Sequence, residues 1–218
     1  MTKIKSNISI LYFGNRNFWQ INKFGHTRLE QIYKTLLKNY KNVSTNYIKL
    51  YSILSFFKHL PYIIKYLPNL KLCLGKKYLI LIINMKNKDR IILFYSNDKK
   101  TFENNFDKIK IETDLNEYDK KIIFFQNPLL WGKIKNINGY EFHFDSLELW
   151  LFQSEFFNLK QKIINNYKEI AYHVKYLTVH SKVSYDYFKK INSNVFIKII
   201  KNGVDLDDFK SNKSIKLP

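Results

Sequence analysis

Acidic residues are scarce in this chain. Eighteen Asp and Glu stand against 37 Lys and Arg in 218 residues, a formal net charge of +19 at pH 7. Such a charge raises affinity for polyanions: nucleic acid, anionic lipid or sugar phosphates. Lys far outnumbers Arg, however, and Lys, Asn, Ile, Tyr and Phe share AT-rich codons, so a biased genome accounts for much of the excess. No single block of like charge stands out as a nucleic-acid tail, and nucleic acid is not the expected partner. Cysteine is nearly absent. Cys73 alone excludes an internal disulfide framework and points to a reducing compartment; between Leu72 and Leu74 it reads as a buried thiol rather than a nucleophile. Five histidines and one cysteine show no metal-ligand spacing, so no metal is expected. Glycine (6) and proline (4) are too few for a flexible linker, and there is neither a P-loop nor a GxGxxG. The polar start, Met1 to Ser9, is no secretory signal. No uncharged run reaches the ~18 residues of a membrane span. A cytoplasmic location is the expectation.

What the chain has is a core. Hydrophobic residues make up 45% and aromatics 17%, which suits one globular domain. Strand-like and helix-like segments alternate, the pattern of an α/β fold with a mainly parallel sheet. The apolar run Ile8 to Phe13 predicts a first strand, ending at Gly14. Arg28 to Tyr40 has helical spacing, with Leu29, Ile32, Tyr33, Leu36 and Leu37 on one face and Thr27 as a cap. Asn46 to Tyr51 predicts a second strand. Leu54 to Leu74 reads as a helix bent at Pro61 and Pro68. Tyr78–Ile83 and Ile91–Tyr95 predict a hairpin, and the polar stretch 97–120 gives no assignment. Further strands are expected at Lys121–Phe125, Tyr140–Phe144, Tyr176–Val179 and Val195–Ile200. Between them lie a short helix or turn at Leu129–Ile137, a helix in one or two pieces from Leu147 to His173, and a helix from Ser181 to about Ile191.

The last third carries a composite motif. Tyr176-Leu-Thr-Val-His-Ser181 leads into the helix Lys182 to Ile191. Ile199-Ile-Lys-Asn-Gly-Val-Asp205 follows, then Phe209. Gly203 is free to take φ > 0, and Asp205, Asp207 and Asp208 suit a helix N-terminus. In this order of strand, Ser, helix, strand, Asn-Gly-Val-Asp and Phe, the chain resembles the end of the N-terminal domain of retaining GT-B glycosyltransferases of family 4. The resemblance covers residues 176–209 well and the rest loosely. Gln126-Asn127-Pro128 resembles the family's middle strand and following Pro. Tyr140 to Asp145 resembles a strand ending in an acidic residue, although Ser146 stands where some members carry a second Asp. The turn after the first strand is longer and less Gly-rich than the family's Gly-Gly turn.

The resemblance implies a Rossmann-like, mostly parallel sheet with helices on both faces, over residues 1–210. It implies half of a GT-B fold, the acceptor side, with 211–218 as the start of an interdomain linker. The family's C-terminal domain, which holds the nucleotide-sugar, is not within these residues. The expected reaction of a complete enzyme is sugar transfer, with retention, from a nucleotide-sugar to a glycan or lipid-linked acceptor. No cofactor is expected on this chain alone, and a separate C-terminal half is the implied partner.

Ligands of open parallel sheets sit beyond the carboxyl ends of the strands, which selects Gly14, Arg16, Gly25, His26, Arg28 and Asn127 as acceptor- or phosphate-binding candidates. Backbone N–H groups after Gly25 suit a phosphate, and Arg16 or Arg28 a bidentate pair; plain turn geometry and a solvated helix residue are the simpler readings. His143, opposite in facing to Phe142 and Phe144, is the candidate general base or a satisfied structural His. Asp145 is the second catalytic candidate, or a helix N-cap. Ser181 is most simply an N-cap. His180 and Ser181 point to opposite faces, so they do not form a nucleophile–base pair. Two further expectations concern surfaces. Phe56, Phe57, Leu60, Ile63, Ile64 and Leu67 interleave with Lys58, Lys65 and Lys71, which suits either a helix packed on the sheet or a peripheral contact with the inner face of a membrane. The alternative to the whole enzyme reading is a non-catalytic basic module for nucleic acid or an anionic surface.

Overall fold

The computed structural model describes residues 4–13, 40–85, 89–98, 101–112, 117–146, 149, 151 and 158–200. Among them the elements run β1 (Ile4–Phe13), β2 (Tyr40–Tyr51), α1 (Leu54–Ile63), a 3₁₀ turn (Ile64–Asn69), β3 (Leu70–Gly75), β4 (Tyr78–Asn84), β5 (Arg90–Ser96), α2 (Thr101–Asn104) and α3 (Phe106–Glu112). Then come β6 (Lys120–Phe125), a 3₁₀ turn (Pro128–Leu130), α4 (Trp131–Ile134), β7 (Glu141–Ser146), α5 (Lys160–His173), β8 (Tyr176–Val179), α6 (Lys182–Ile191) and β9 (Ile197–Ile199).

All nine strands join one sheet, in the order β3-β4-β5-β2-β1-β6-β7-β8-β9. From β5 to β9 every neighbouring pair is parallel; β3 and β4 add antiparallel strands at one edge. Ranked in chain order, the parallel strands read 3-2-1-4-5-6-7, a doubly wound, Rossmann-like arrangement. A strand buried on both faces must be apolar at successive positions rather than at alternate ones. In β1, Ile10, Leu11, Tyr12 and Phe13 are each at most 2% exposed.

The winding explains where the helices lie. The connection from β2 to β5 moves toward one edge, and those from β6 to β9 toward the other. Right-handed crossovers therefore put their helices on opposite faces. One face packs Leu11, Phe13, Phe94, Phe125 and Phe144 against Phe102, Trp131, Tyr167 and Phe188 of α2, α4, α5 and α6. The other packs Ile8, Ile10, Tyr12, Leu81 and Tyr95 with Ile63 of α1. The expected helices on both faces are observed. In α5, Ile163, Tyr167 and Ile170 at 3.6-residue spacing are fully buried. In α6, Ser181 is the N-cap: its backbone is extended (φ −133°, ψ 158°) and its Oγ accepts from the Ser184 N–H at 3.1 Å.

Several expectations need correction. Leu70 to Leu74 is strand, not helix. Pro61 is carried within α1, the chain tightens to a 3₁₀ turn at Ile64, and Pro68 lies in that turn. Beyond it Leu70, Leu72 and Leu74 alternate with Lys71 and Cys73, a period of two that pairs with β4 as a hairpin. Tyr40 belongs to a strand rather than to the end of a helix, and the stretch 97–120 holds two short helices. The last strand is shorter than expected, Ile197–Ile199. The predicted helix from Arg28, the Asn202-Gly203-Val204-Asp205 block and the 211–218 linker lie outside the described residues.

Candidate functional site

The doubly wound order changes direction between β1 and β6, and there the carboxyl ends of the strands leave a crevice. A pocket of about 260 Å³ sits at this point, lined by Phe13, Ile48, Lys49, Leu50, Asn127, Leu130 and Lys133. A second of about 200 Å³ shares Leu50 and Lys133 with it and reaches Ser96, Asn97, Asp98 and Phe102. Together they form a trough along the ends of β1, β2, β5 and β6. Apolar side chains and polar groups share its lining about evenly, so it can both bury part of a ligand and orient it by hydrogen bonds.

Each polar group has a local reason for its place. Pro128 cannot continue β6, so the chain turns, and Asn127 caps the turn by accepting from the Leu129 N–H at 2.8 Å. Asn97 accepts from the Ile53 N–H at 3.0 Å, tying the ends of β2 and β5. Lys133 projects from α4. Strand alternation gives Lys49 the opposite facing to Ile48 and Leu50, and burial lowers its pKa to about 8.

A second polar group lies beside the crevice, on the other face. The Tyr12 hydroxyl donates to Gln126 Oε1 at 3.0 Å, and Gln126 Nε2 donates to Asp145 Oδ2 at 2.9 Å. Thr178 Oγ1 donates to Asp145 Oδ1 at 2.5 Å, and His180 Nε2 is 3.9 Å from that same oxygen. Asp145 is fully buried. A buried carboxylate is tolerated when donors replace the lost water, and here Gln126, just past β6, and Thr178 of β8 supply them. The chain of bonds joins β1, β6, β7 and β8 at their carboxyl ends. Its consequence at the crevice is direct, because Gln126 precedes Asn127.

His143 lies two residues back along β7, facing away from Phe144 as expected. Its ring meets Tyr176 at 4.7 Å between centroids, and Nε2 stands 3.8 Å from Glu141 Oε2, beyond hydrogen-bond reach. Burial lowers its pKa to about 4; Glu141 opposes the shift, while Lys120 and Lys175 add to it. His143 is therefore neutral at pH 7. Glu141 itself is held below the usual carboxylate range by Lys175, which donates at 2.6 Å, and by Lys120, against the opposing effect of burial.

Of the residues singled out in the sequence, Asn127 lines the trough, while His143 and Asp145 sit on β7 and do not. Gly14, Arg16, Gly25, His26 and Arg28 lie outside the described residues. Tyr12, Gln126 and Thr178 are not among the sequence candidates; the available signal is a polar atom closing or interrupting an apolar strand. Lys133 gives no signal, since it is one lysine among many. Among the described residues no cluster of His, Cys, Asp and Glu is built to hold a metal, and no helix is long and apolar enough to cross a membrane.

Fold and crevice define an α/β protein of Rossmann-like, doubly wound order. No protein-family model matches the chain, and no curated protein matches it.

Proposed function

We propose that these residues form the acceptor-side domain of a retaining GT-B glycosyltransferase, and that the trough at the β1/β6 switch point takes a glycan or lipid-linked acceptor. The observation that carries this reading is the unit β8–Ser181–α6–β9. It has the geometry that the resemblance implies, a strand leading to a capping Ser, a helix and a returning strand. The ligand-sized trough beyond the strand ends supports it. In the reaction, the acceptor hydroxyl oxygen bonds to the anomeric carbon of a nucleotide-sugar. The bond from that carbon to the nucleoside diphosphate breaks, and the hydroxyl proton leaves with the diphosphate. The donor is held by a second domain, in the same polypeptide or a separate one. Asn127 and Lys133 hydrogen-bond acceptor hydroxyls or a linking phosphate. Asp145, buried, is a positioning residue that fixes Gln126 and with it the turn carrying Asn127.

The test is calorimetric titration of the chain with farnesyl-pyrophosphoryl N-acetylglucosamine and with maltotriose, and with a random oligonucleotide as the competitor class. Binding of one acceptor, weakened about tenfold by Asn127→Ala with Lys133→Ala, is expected; that corresponds to about 1.4 kcal/mol. Salt-dependent oligonucleotide binding with no response to either acceptor would overturn the reading in favour of a basic binding module.

A further inference from the structure

Helix α1 has two apolar sides, and only one of them is used. Phe56, His59 and Ile63, spaced three and four apart, face the sheet; His59 and Ile63 are buried. Leu54, Phe57, Pro61 and Ile64, spaced three, four and three apart, form a second stripe that faces outward. Leu54 is 72% exposed, Phe57 67% and Ile64 55%. An apolar stripe on a helix ordinarily faces the core; this second stripe faces outward.

The stripe continues beyond the helix. Leu67 is exposed in the 3₁₀ turn, and Leu72 and Leu74 are exposed on β3. Their register places them on the same side as α1: Leu72 pairs with Leu81, which packs in the cluster containing Ile63, whereas Cys73 pairs with Ile80 on the opposite face. The surface thus gathers helix, turn and edge strand into one apolar face. Isolated exposed leucines need no explanation, but a contiguous set marks a contact surface.

Charge identifies the occupant. Lys58, Lys65, Lys76 and Lys77 are exposed around this face. No acidic residue occurs between Glu30 and Asp89. A second copy of the chain would bring like charge against like charge. An anionic bilayer surface offers the complement to both features, acyl chains for the apolar stripe and phosphates for the ammonium groups. Lys stems can lie along the apolar face with their heads in the headgroup layer. The 4.9 Å contact of Lys65 Nζ over the Tyr66 ring already shows such a lysine folded onto an apolar neighbour.

We propose that the face formed by α1, the 3₁₀ turn and β3 docks on an anionic lipid bilayer in the plane of the interface. This surface is separate from the trough and stands whether or not the trough takes a glycosyl acceptor.

The experiment is co-sedimentation of the full chain with vesicles of phosphatidylglycerol and phosphatidylcholine, against phosphatidylcholine alone, at low and high salt. Binding to the anionic vesicles, reduced by salt and weak on the neutral ones, is expected. Phe57→Glu with Leu74→Glu should lower the partition coefficient on the order of tenfold, and so should Lys58→Glu with Lys65→Glu. Each of the four side chains is exposed, so urea midpoints should stay at the parent value and separate lost docking from lost folding. Unchanged binding by Phe57→Glu/Leu74→Glu would overturn the proposal, since charge anywhere on the protein would then suffice. Absence of vesicle binding would overturn it too. So would a dimer in sedimentation velocity that the same substitutions dissolve, because the face would then belong to a second copy.

Discussion

Helices α5 and α1 lie against the same sheet and solve the same problem differently. In α5 Ile163, Tyr167, Ile170 and Ala171 point inward, while Lys160, Gln161, Lys162, Asn165 and Lys168 face water. Its flank is further tied by Glu169, which accepts from Trp131 Nε1 and Lys135 Nζ, each at 2.9 Å. In α1 the outer side carries an apolar stripe of its own, with Leu54 and Phe57 exposed beside Lys58. How many apolar residues a helix carries therefore says little about how it is used. What matters is whether those residues occupy one stripe or two, because a sheet can cover only one.

The comparison breaks most readily in the core that α5 shares with α6, where Tyr167 and Phe188 meet at 5.2 Å between ring centroids. Phe188→Ala should cost about 3–5 kcal/mol in urea denaturation, and Phe57→Ala on α1 within about 0.5 kcal/mol. Equal costs would mean that the outer stripe of α1 is packed after all. Next in size is the polar bridge across the parallel strands. Asp145→Ala strands the Gln126 and Thr178 donors and should cost about 3 kcal/mol in thermal or urea melts, with Asp145→Asn costing less. A neutral result for Asp145→Ala would remove its positioning role.

The third expectation is a pH dependence to which the β7 side contributes through His143. His143 has a folded pKa of about 4, below the 6.5 of a free His, so folding disfavours its protonation. Its contribution is fully present above pH 6.5 and is lost as pH falls through 6.5 toward 4, on the order of 2 kcal/mol across that window. His143→Gln should flatten the stability profile between pH 6.5 and 4.5; parallel profiles for the two proteins would contradict the assignment. Smallest is the edge hairpin. A Cβ at Gly75 runs into the Tyr78 ring, which stacks on Phe94 at 5.5 Å, so Gly75→Ala should cost about 1 kcal/mol. If it costs nothing, the ring has room to move and the edge is looser than β5 beside it.

The strands that carry β-branched and aromatic runs are legible in the amino-acid order alone, including both halves of the β4–β5 hairpin, and so is the Ser181 cap. Leu70 to Leu74 is not, for a physical reason. Its leucines fit a helical continuation from α1 as well as an alternation, and only pairing with Tyr78 to Ile83 decides between them. The trough is legible as a position, beyond the strand ends, and through Asn127 as one residue. The bridge from Tyr12 to Thr178 is not, because hydrogen bonds between strands far apart in sequence leave no local periodicity. Alternation along β7 places His143 on the correct side of its strand; its neutrality depends on burial, which no spacing reports.

The bond between Tyr12 and Gln126 joins residues 114 apart. The strand at the centre of the sheet, β1, is therefore made well before β6, one of its two neighbours. At ~5–20 residues per second, synthesis leaves roughly 6–23 s in which β1 has an open hydrogen-bonding edge on the β6 side. Such an edge, apolar on both faces, is a template for pairing with other chains. The crossover order that creates the crevice thus also leaves one edge of β1 without its partner until β6 is made.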